Sequence, residues 1–328
     1  MSFADIIGQQ KQLTILRSAL ANQRLHHAYL FLGPDGIGKH SVAVALAKAV
    51  HCVEANGDFC GGCVNCARIA DGNHPDVRLI EPLAGKKEIS IQQVRELERD
   101  LNYRSFTGKR KVAIIDPATL LNLSSQNALL KTLEEPPQDS LMILIAANGG
   151  ALLPTLRSRC LRLSFAPLTR QQVAGFLQSQ HEIASADAEF IAALSMGSIG
   201  AALALDHDEM VERRRIWIGM LGALKPGDYQ GAMAAAEALA SDRDETLKFL
   251  KWAESWYRDL LVQSVAQDSN DLVNLDMHTE IAQQAADGDV EKNLRVISQT
   301  GRAAAGVQRN LNRRMVLEKF FFGVVGGR

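Results

Sequence analysis

Ala28-Tyr29-Leu30-Phe31-Leu32-Gly33-Pro34-Asp35-Gly36-Ile37-Gly38-Lys39-His40 is the stretch that decides the fold. Its apolar run, closed by glycine and proline, reads as a buried strand, and the alanine-rich amphipathic stretch that follows to about Val50 reads as a helix. Between them lies a G-x-x-x-x-G-K loop carrying Gly33, Gly36, Gly38 and Lys39. In such a loop the glycines let backbone N–H groups approach phosphates, and the lysine reaches the β and γ oxygens. The next position, which would offer a hydroxyl to Mg²⁺, holds His40, and a hard cation prefers oxygen to imidazole. Ser41, one step around the helix, points elsewhere. Two readings stay open: a nucleotide site with weakened metal handling, or a glycine turn that packs a strand against a helix.

Working outward, Leu13, Leu16, Ala19 and Leu20 give helical spacing over residues 9–22. A second strand, Val112 to Ile115, ends at Asp116, and a third, Leu141 to Ala146, stops before Asn148-Gly149-Gly150. Strands alternating with helices predict a parallel sheet covered on both faces. Asp116 stands where a strand-end carboxylate could hold Mg²⁺ through water. Its neighbour is Pro117, not an acid that could orient an attacking water, and the favoured reading makes Asp116 the N-cap of a helix beginning at Pro117.

Past Ala166-Pro167 the pattern is helical throughout. Thr169 can cap a helix to about Gln180, Ala186 to Met196 gives a second, and Gly197-Ser198 precedes a third. From Asp208 to Arg328 breaks are expected near Pro226-Gly227, Ser241-Asp242 and Asp287-Gly288, with Trp217, Trp252 and Trp256 as core anchors. The expected units are 1–166, 167–207 and 208–328.

Length and charge bound the rest. A chain of 328 residues is long for one domain, and 47% apolar against 22% charged residues excludes a disordered or fibrous chain. Thirty-six basic against thirty-seven acidic residues leave a formal charge of −1. No overall basic field draws the chain onto nucleic acid, so any DNA contact must be local or borrowed from partners. Lys109-Arg110-Lys111, Arg213-Arg214-Arg215 and Arg313-Arg314 read as solvated ends of helices or strands. Leu141 to Ala147 is far short of the roughly 18 apolar residues of a membrane span. With no basic and apolar leader after Met1, the expected location is cytoplasmic, with no membrane partner.

Cys52, Cys60, Cys63 and Cys66 form C-x7-C-x2-C-x2-C, with Gly61 and Gly62 allowing a tight turn. Four thiolates suit tetrahedral Zn²⁺, and a set with no open ligand position points to a closed structural site within a module of about 52–75. Cys160, far from these, reads as core filling.

Asn127-Ala128-Leu129-Leu130-Lys131-Thr132-Leu133-Glu134-Glu135-Pro136-Pro137, followed by Ser158-Arg159-Cys160, resembles the bacterial clamp-loader family within the AAA+ ATPases. The cysteine module, His27 to Gly33 and the helical second half extend that resemblance over nearly the whole chain. It implies an AAA+ α/β domain, a small helical lid and an all-helical C-terminal collar, in which residues 301–317 with Asn310, Asn312 and Glu318 would pack. It also implies a place in the DNA polymerase III holoenzyme, in a five-subunit ring with tau/gamma motor subunits and delta, loading the β sliding clamp on primed DNA.

Departures set this chain apart from the family's motor subunits. His40 and Pro117 replace the Walker hydroxyl and glutamate, and Gly200 in Gly197-Ser198-Ile199-Gly200 replaces the sensor-2 arginine. Near Ala146 and Ala147 the polar sensor-1 side chain is missing. These losses imply weak or absent ATP or ADP binding and no catalysis by the chain's own residues: a non-hydrolysing stator. Arg159 is retained, and the resemblance makes it an arginine finger for a neighbouring subunit's ATP. The other readings are a helix-end arginine paired with a surface carboxylate, or Arg157 as the finger. The rivals for the whole chain are an active AAA+ motor and a zinc-dependent DNA-binding module.

Overall fold

The computed structural model describes residues 2–54, 57–266, 272–286 and 289–326. They form two compact units, Met1–Gln180 with Met196–Leu203, and His181–Ser195 with Ala204–Arg328. In chain order the elements of the first half are α1 (Gln10–Ala21), β1 (Ala28–Leu32), α2 (Lys39–His51), α3 (Val64–Ala70), β2 (Val77–Ile80) and α4 (Ile91–Asn102). There follow β3 (Lys111–Ile115), α5 (Leu123–Glu134), β4 (Ser140–Ala146), α6 (Pro154–Arg157), β5 (Leu161–Ser164) and α7 (Arg170–His181).

The five strands form one parallel sheet in the order β2-β3-β4-β1-β5. The three expected from their apolar runs, β1, β3 and β4, are its central strands, and every residue of β3 and β4 is buried. Strand side chains alternate between faces, so each run feeds two cores. Tyr29, Phe31, Val112, Ile114, Leu141 and Ile143 pack with α1, α2 and α3 on one face. Leu30, Ala113, Ile115, Met142 and Leu144 pack with α4 and α5 on the other. Here Cys160 fills core space as expected, and burial pushes its thiol up to about 12. The reading of the sequence missed β2 and β5. Both are edge strands of four residues, with Leu79 and Leu161 exposed, so neither carries a continuous apolar run.

Thr169 caps α7 as expected, its hydroxyl accepting from Gln172 N–H at 3.2 Å. The later helices are α8 (Ser185–Leu194), α9 (Ile199–Leu203), α10 (His207–Ala223), α11 (Tyr229–Ala240), α12 (Arg243–Val265), α13 (His278–Ala286), α14 (Val290–Gln308) and α15 (Arg313–Val325). Breaks fall at Pro226-Gly227 and at Ser241-Asp242, where Asp242 accepts from Glu245 N–H at 2.8 Å. The break expected near 287–288 lies outside the described residues. Trp217, Trp252 and Trp256 are all buried with Phe249, Phe320 and Phe321 in the core of the second unit. Asn312 caps α15, and Val307 and Leu317 are buried beside it. None of the described helices is long and apolar enough to cross a membrane.

None of the three basic stretches is simply solvated: Arg313 Nε, for one, donates to the Ala240 carbonyl at 2.8 Å. Arg214 is fully buried, donates to Asp276 and to Asn274 Oδ1 at 3.2 Å, and lies over the Phe190 ring. Lys111 is buried and bonded to the Asp100 carbonyl, while Lys109 Nζ donates to the Cys52 carbonyl at 2.7 Å. A charge stays buried at tolerable cost only when such partners replace its water.

Candidate functional site: a phosphate loop with an inward lysine, a sulfur cluster and a clamped arginine

The glycine loop joins β1 to α2 as expected, and Gly36 (φ 73°) and Gly38 (φ 96°) take left-handed conformations that only glycine adopts freely. Lys39 does not extend from it. Its side chain is 4% exposed, and Nζ donates back to the carbonyls of Gly33 and Pro34, the latter at 2.6 Å. Burial lowers its pKa, opposed by Asp35, whose carboxylate lies 3.6 Å away. The remaining loop carbonyls are also taken. Ser198 Oγ donates to Asp35 O at 2.9 Å and Gly200 N–H to Gly36 O at 3.0 Å. A Cβ on Gly200 would come within 2.9 Å of Gly36 Cα, so position 200 admits a side chain only if the backbone shifts. A phosphate is held by N–H donors and a free ammonium, and here the ammonium of Lys39 is bonded inside the protein.

His40 and Asp116 pair with each other. His40 Nδ1 lies 2.8 Å from Asp116 Oδ2, and this hydrogen bond raises the imidazole pKa. The pair joins the two positions that a Mg²⁺ would need separately. Asp116 therefore does not act as the N-cap expected from sequence. Pro117 is extended, and the short 3-10 turn Ala118–Leu120 behind it has no side-chain cap. The carboxylate finds a stronger, charge-assisted partner in the imidazole.

At the other end of α2 the four expected cysteines converge. The sulfurs of Cys52, Cys60, Cys63 and Cys66 all lie within 4.8 Å of one another, the set that could hold a metal ion. Backbone N–H groups already point at sulfur: Cys60 N donates to Cys52 Sγ at 3.4 Å and Cys63 N to Cys60 Sγ at 3.2 Å. Backbone hydrogen bonds to Cys63, those involving Val53 and Cys66 foremost, bring its thiol down to about 6, whereas burial pushes Cys66 up to about 12. The donor set and these N–H···S bonds fit a thiolate-bound cation.

Beside this cluster lies a group that the sequence reading missed, His51, His74 and Asp76, all buried. Asp76 accepts from Ser105 Oγ, Thr107 Oγ1 and the N–H groups of Phe106 and Thr107, at 2.7 to 2.9 Å. Thr107 spends its proton on Asp76, so His51 Nδ1 donates to Thr107 Oγ1, while His74 Nδ1 accepts from Asp76 N–H. One bare Nε2 and one Nε2–H result, not the converging lone pairs of a cation site. The group fixes the 105–107 loop. Its signal in the sequence was only His-Pro-Asp at 74–76.

Arg159 sits between α6 and β5. Its Nη1 donates to Thr155 O at 2.8 Å and its Nη2 to the Glu134 carboxylate, with a third of the side chain exposed. Arg157 packs inward against Gly149, and its Nε is buried.

A parallel sheet in this order, with a glycine loop running from β1 into α2 and helices on both faces, defines an AAA+ α/β domain. Residues 8–169 match the family model described as DNA polymerase III, delta subunit. The chain is 35% identical over 216 residues to DNA polymerase III subunit delta' of Escherichia coli, covering 65% of this chain and 64% of that one. It is 40% identical over 161 residues to subunit delta' of Pseudomonas aeruginosa, 48% of each chain. Subunit tau/gamma of Haemophilus influenzae is 33% identical over 294 residues, 82% of this chain but 42% of that protein. The chain thus spans less than two thirds of the length of each of these relatives. It belongs to the bacterial clamp-loader family of AAA+ proteins, on the delta' branch.

Proposed function

We propose that this chain is the stator of a DNA polymerase III clamp loader, a subunit that helps place the β sliding clamp on primed DNA without hydrolysing ATP itself. The observation that carries the proposal is the inward-turned lysine of the phosphate loop. Lys39 is held by loop carbonyls, His40 is paired with Asp116, and Gly200 occupies the sensor-2 position with no side chain. ATP or ADP binds weakly or not at all at such a loop. The chain acts in the cytoplasm by contact, in a five-subunit ring with tau/gamma motor subunits and delta. An AAA+ domain over 1–166, a lid over 167–207 and a collar over 208–328 serve that role, and a structural zinc on the four cysteines stabilises the 52–75 module.

In this reading Arg159 is the group the chain gives to chemistry. A guanidinium reaching a neighbour's γ-phosphate stabilises the charge of the transferring phosphoryl group, an effect worth about 10³ to 10⁵ in other NTPases. The test measures ATPase activity of the isolated protein and of the complex assembled with motor subunits, delta, clamp and primed DNA. An inert isolated protein, a silent Lys39→Ala and an Arg159→Ala complex slowed at least about a hundredfold are expected. Turnover by the isolated protein that depends on Lys39 would make the chain a motor instead.

A further inference from the structure

We propose that Glu134 is a positioning residue for Arg159, clamping the guanidinium from one side so that its free edge is ready for a phosphate. The inference rests on the reading of Arg159 as a donated finger and adds the residue that aims it.

An arginine side chain carries about 2 kcal/mol of rotamer entropy, so an unrestrained one must be ordered at the moment it is needed. Here it is ordered in advance. Glu134 is the last residue of α5, whose Leu129 and Leu133 are buried against the sheet. Thr155 lies in α6, held by buried Leu156, and Arg159 itself is followed by buried Cys160. Both clamping groups therefore stand on rigid supports. A guanidinium has five N–H donors. Glu134 takes one on Nη2 and Thr155 O takes one on Nη1, which leaves the other three uncommitted among the described residues. Those three, with the exposed third of the side chain, are what a phosphate could use.

The carboxylate also cancels part of the guanidinium's charge. At an exposed position water screens that loss, and a surface ion pair is worth about 0 to 1 kcal/mol, so the effect of orientation prevails. For the same reason the pair contributes little to folding, and Glu134→Gln should melt like the wild type.

The experiment measures steady-state ATPase of the assembled complex with clamp and primed DNA, using Glu134→Gln, Arg159→Ala and the double variant. Glu134→Gln should lower kcat about 3- to 10-fold with KM for ATP within about twofold, and the double variant should be no slower than Arg159→Ala alone. That non-additivity is the readout a merely structural role would not give. Glu134→Asp, which keeps the charge on a shorter arm, should recover only part of the rate. Unchanged kcat in Glu134→Gln, a faster complex, or the same loss in the Arg159→Ala background would each overturn the positioning role while leaving the finger in place. An Arg159→Ala complex that turns over normally would instead remove the finger, and the positioning role with it.

Discussion

Helix α2 begins at one loop built like a ligand site and ends at another, and the two are opposites. The phosphate loop at its start has the glycines and lysine of a binding motif, yet each of its polar groups named above is answered from within the protein. The cysteine module at its end brings four sulfurs within 4.8 Å of one another with N–H groups already aimed at them. A motif names residues that could bind. Whether they do depends on which of them the fold leaves without partners. The lysine at the start of α2 is turned inward, and the cysteines at its end form a set that could hold a metal ion.

Breaking the sulfur cluster should have the largest effect. Cys66→Ser should lower the metal content of protein purified without chelator from one zinc per chain to near none, read by elemental analysis. It should also destabilise the first unit by at least about 2 kcal/mol, since metal binding free energy is folding free energy in so small a module. A wild-type protein that holds far less than one zinc would erase the contrast between the two loops.

The loop is tested next by restoring what it lacks. Gly200→Arg recreates the family's sensor-2 residue, but its Cβ would meet Gly36 Cα at 2.9 Å, a backbone atom that cannot swing aside. Chemical denaturation should show a loss of about 1 to 3 kcal/mol, and titration with ATP should show no gain in binding. Tight ATP binding by this variant would mean that the loop opens readily.

The smallest expected effect sharpens the electrostatic side of the comparison. The hydrogen bond to Asp116 raises the His40 pKa above its ordinary 6.5. A raised pKa adds stability that is fully present below about pH 6.5 and fades as pH climbs through the folded-state value. Asp116→Asn should return the His40 titration, followed by NMR, toward the ordinary value and flatten that fading. With His40 half-exposed, the stability change should stay under about 1 kcal/mol. A titration unchanged by the substitution would separate the two residues.

Much of this was legible in the order of residues. The three central strands were visible because strands buried on both faces must be apolar throughout, and the cysteine cluster because close spacing alone brings its sulfurs together. Edge strands β2 and β5 were hidden because partial exposure removes that uniformity. That positions 40, 117 and 200 carry no hydroxyl, carboxylate or guanidinium was also plain in the sequence. What took their place was not. Asp116 was read as a helix cap, a local role, whereas its partner is 76 positions away. Arg214 was read as solvated because its neighbours are charged, whereas Asn274 and Asp276, about 60 residues on, keep it buried.

The sequence by itself determined the class of fold, the metal-type ligand set and which chemical groups positions 40, 117 and 200 lack, because periodicity, spacing and residue chemistry are local properties. Only the tertiary structure decided where the side chain of Lys39 goes. Ser198 Oγ donates to Asp35 O across 163 residues, and Lys39 Nζ turns inward to the carbonyls of Gly33 and Pro34. Which donor satisfies which buried acceptor depends on segments brought together by packing, and no local pattern records it.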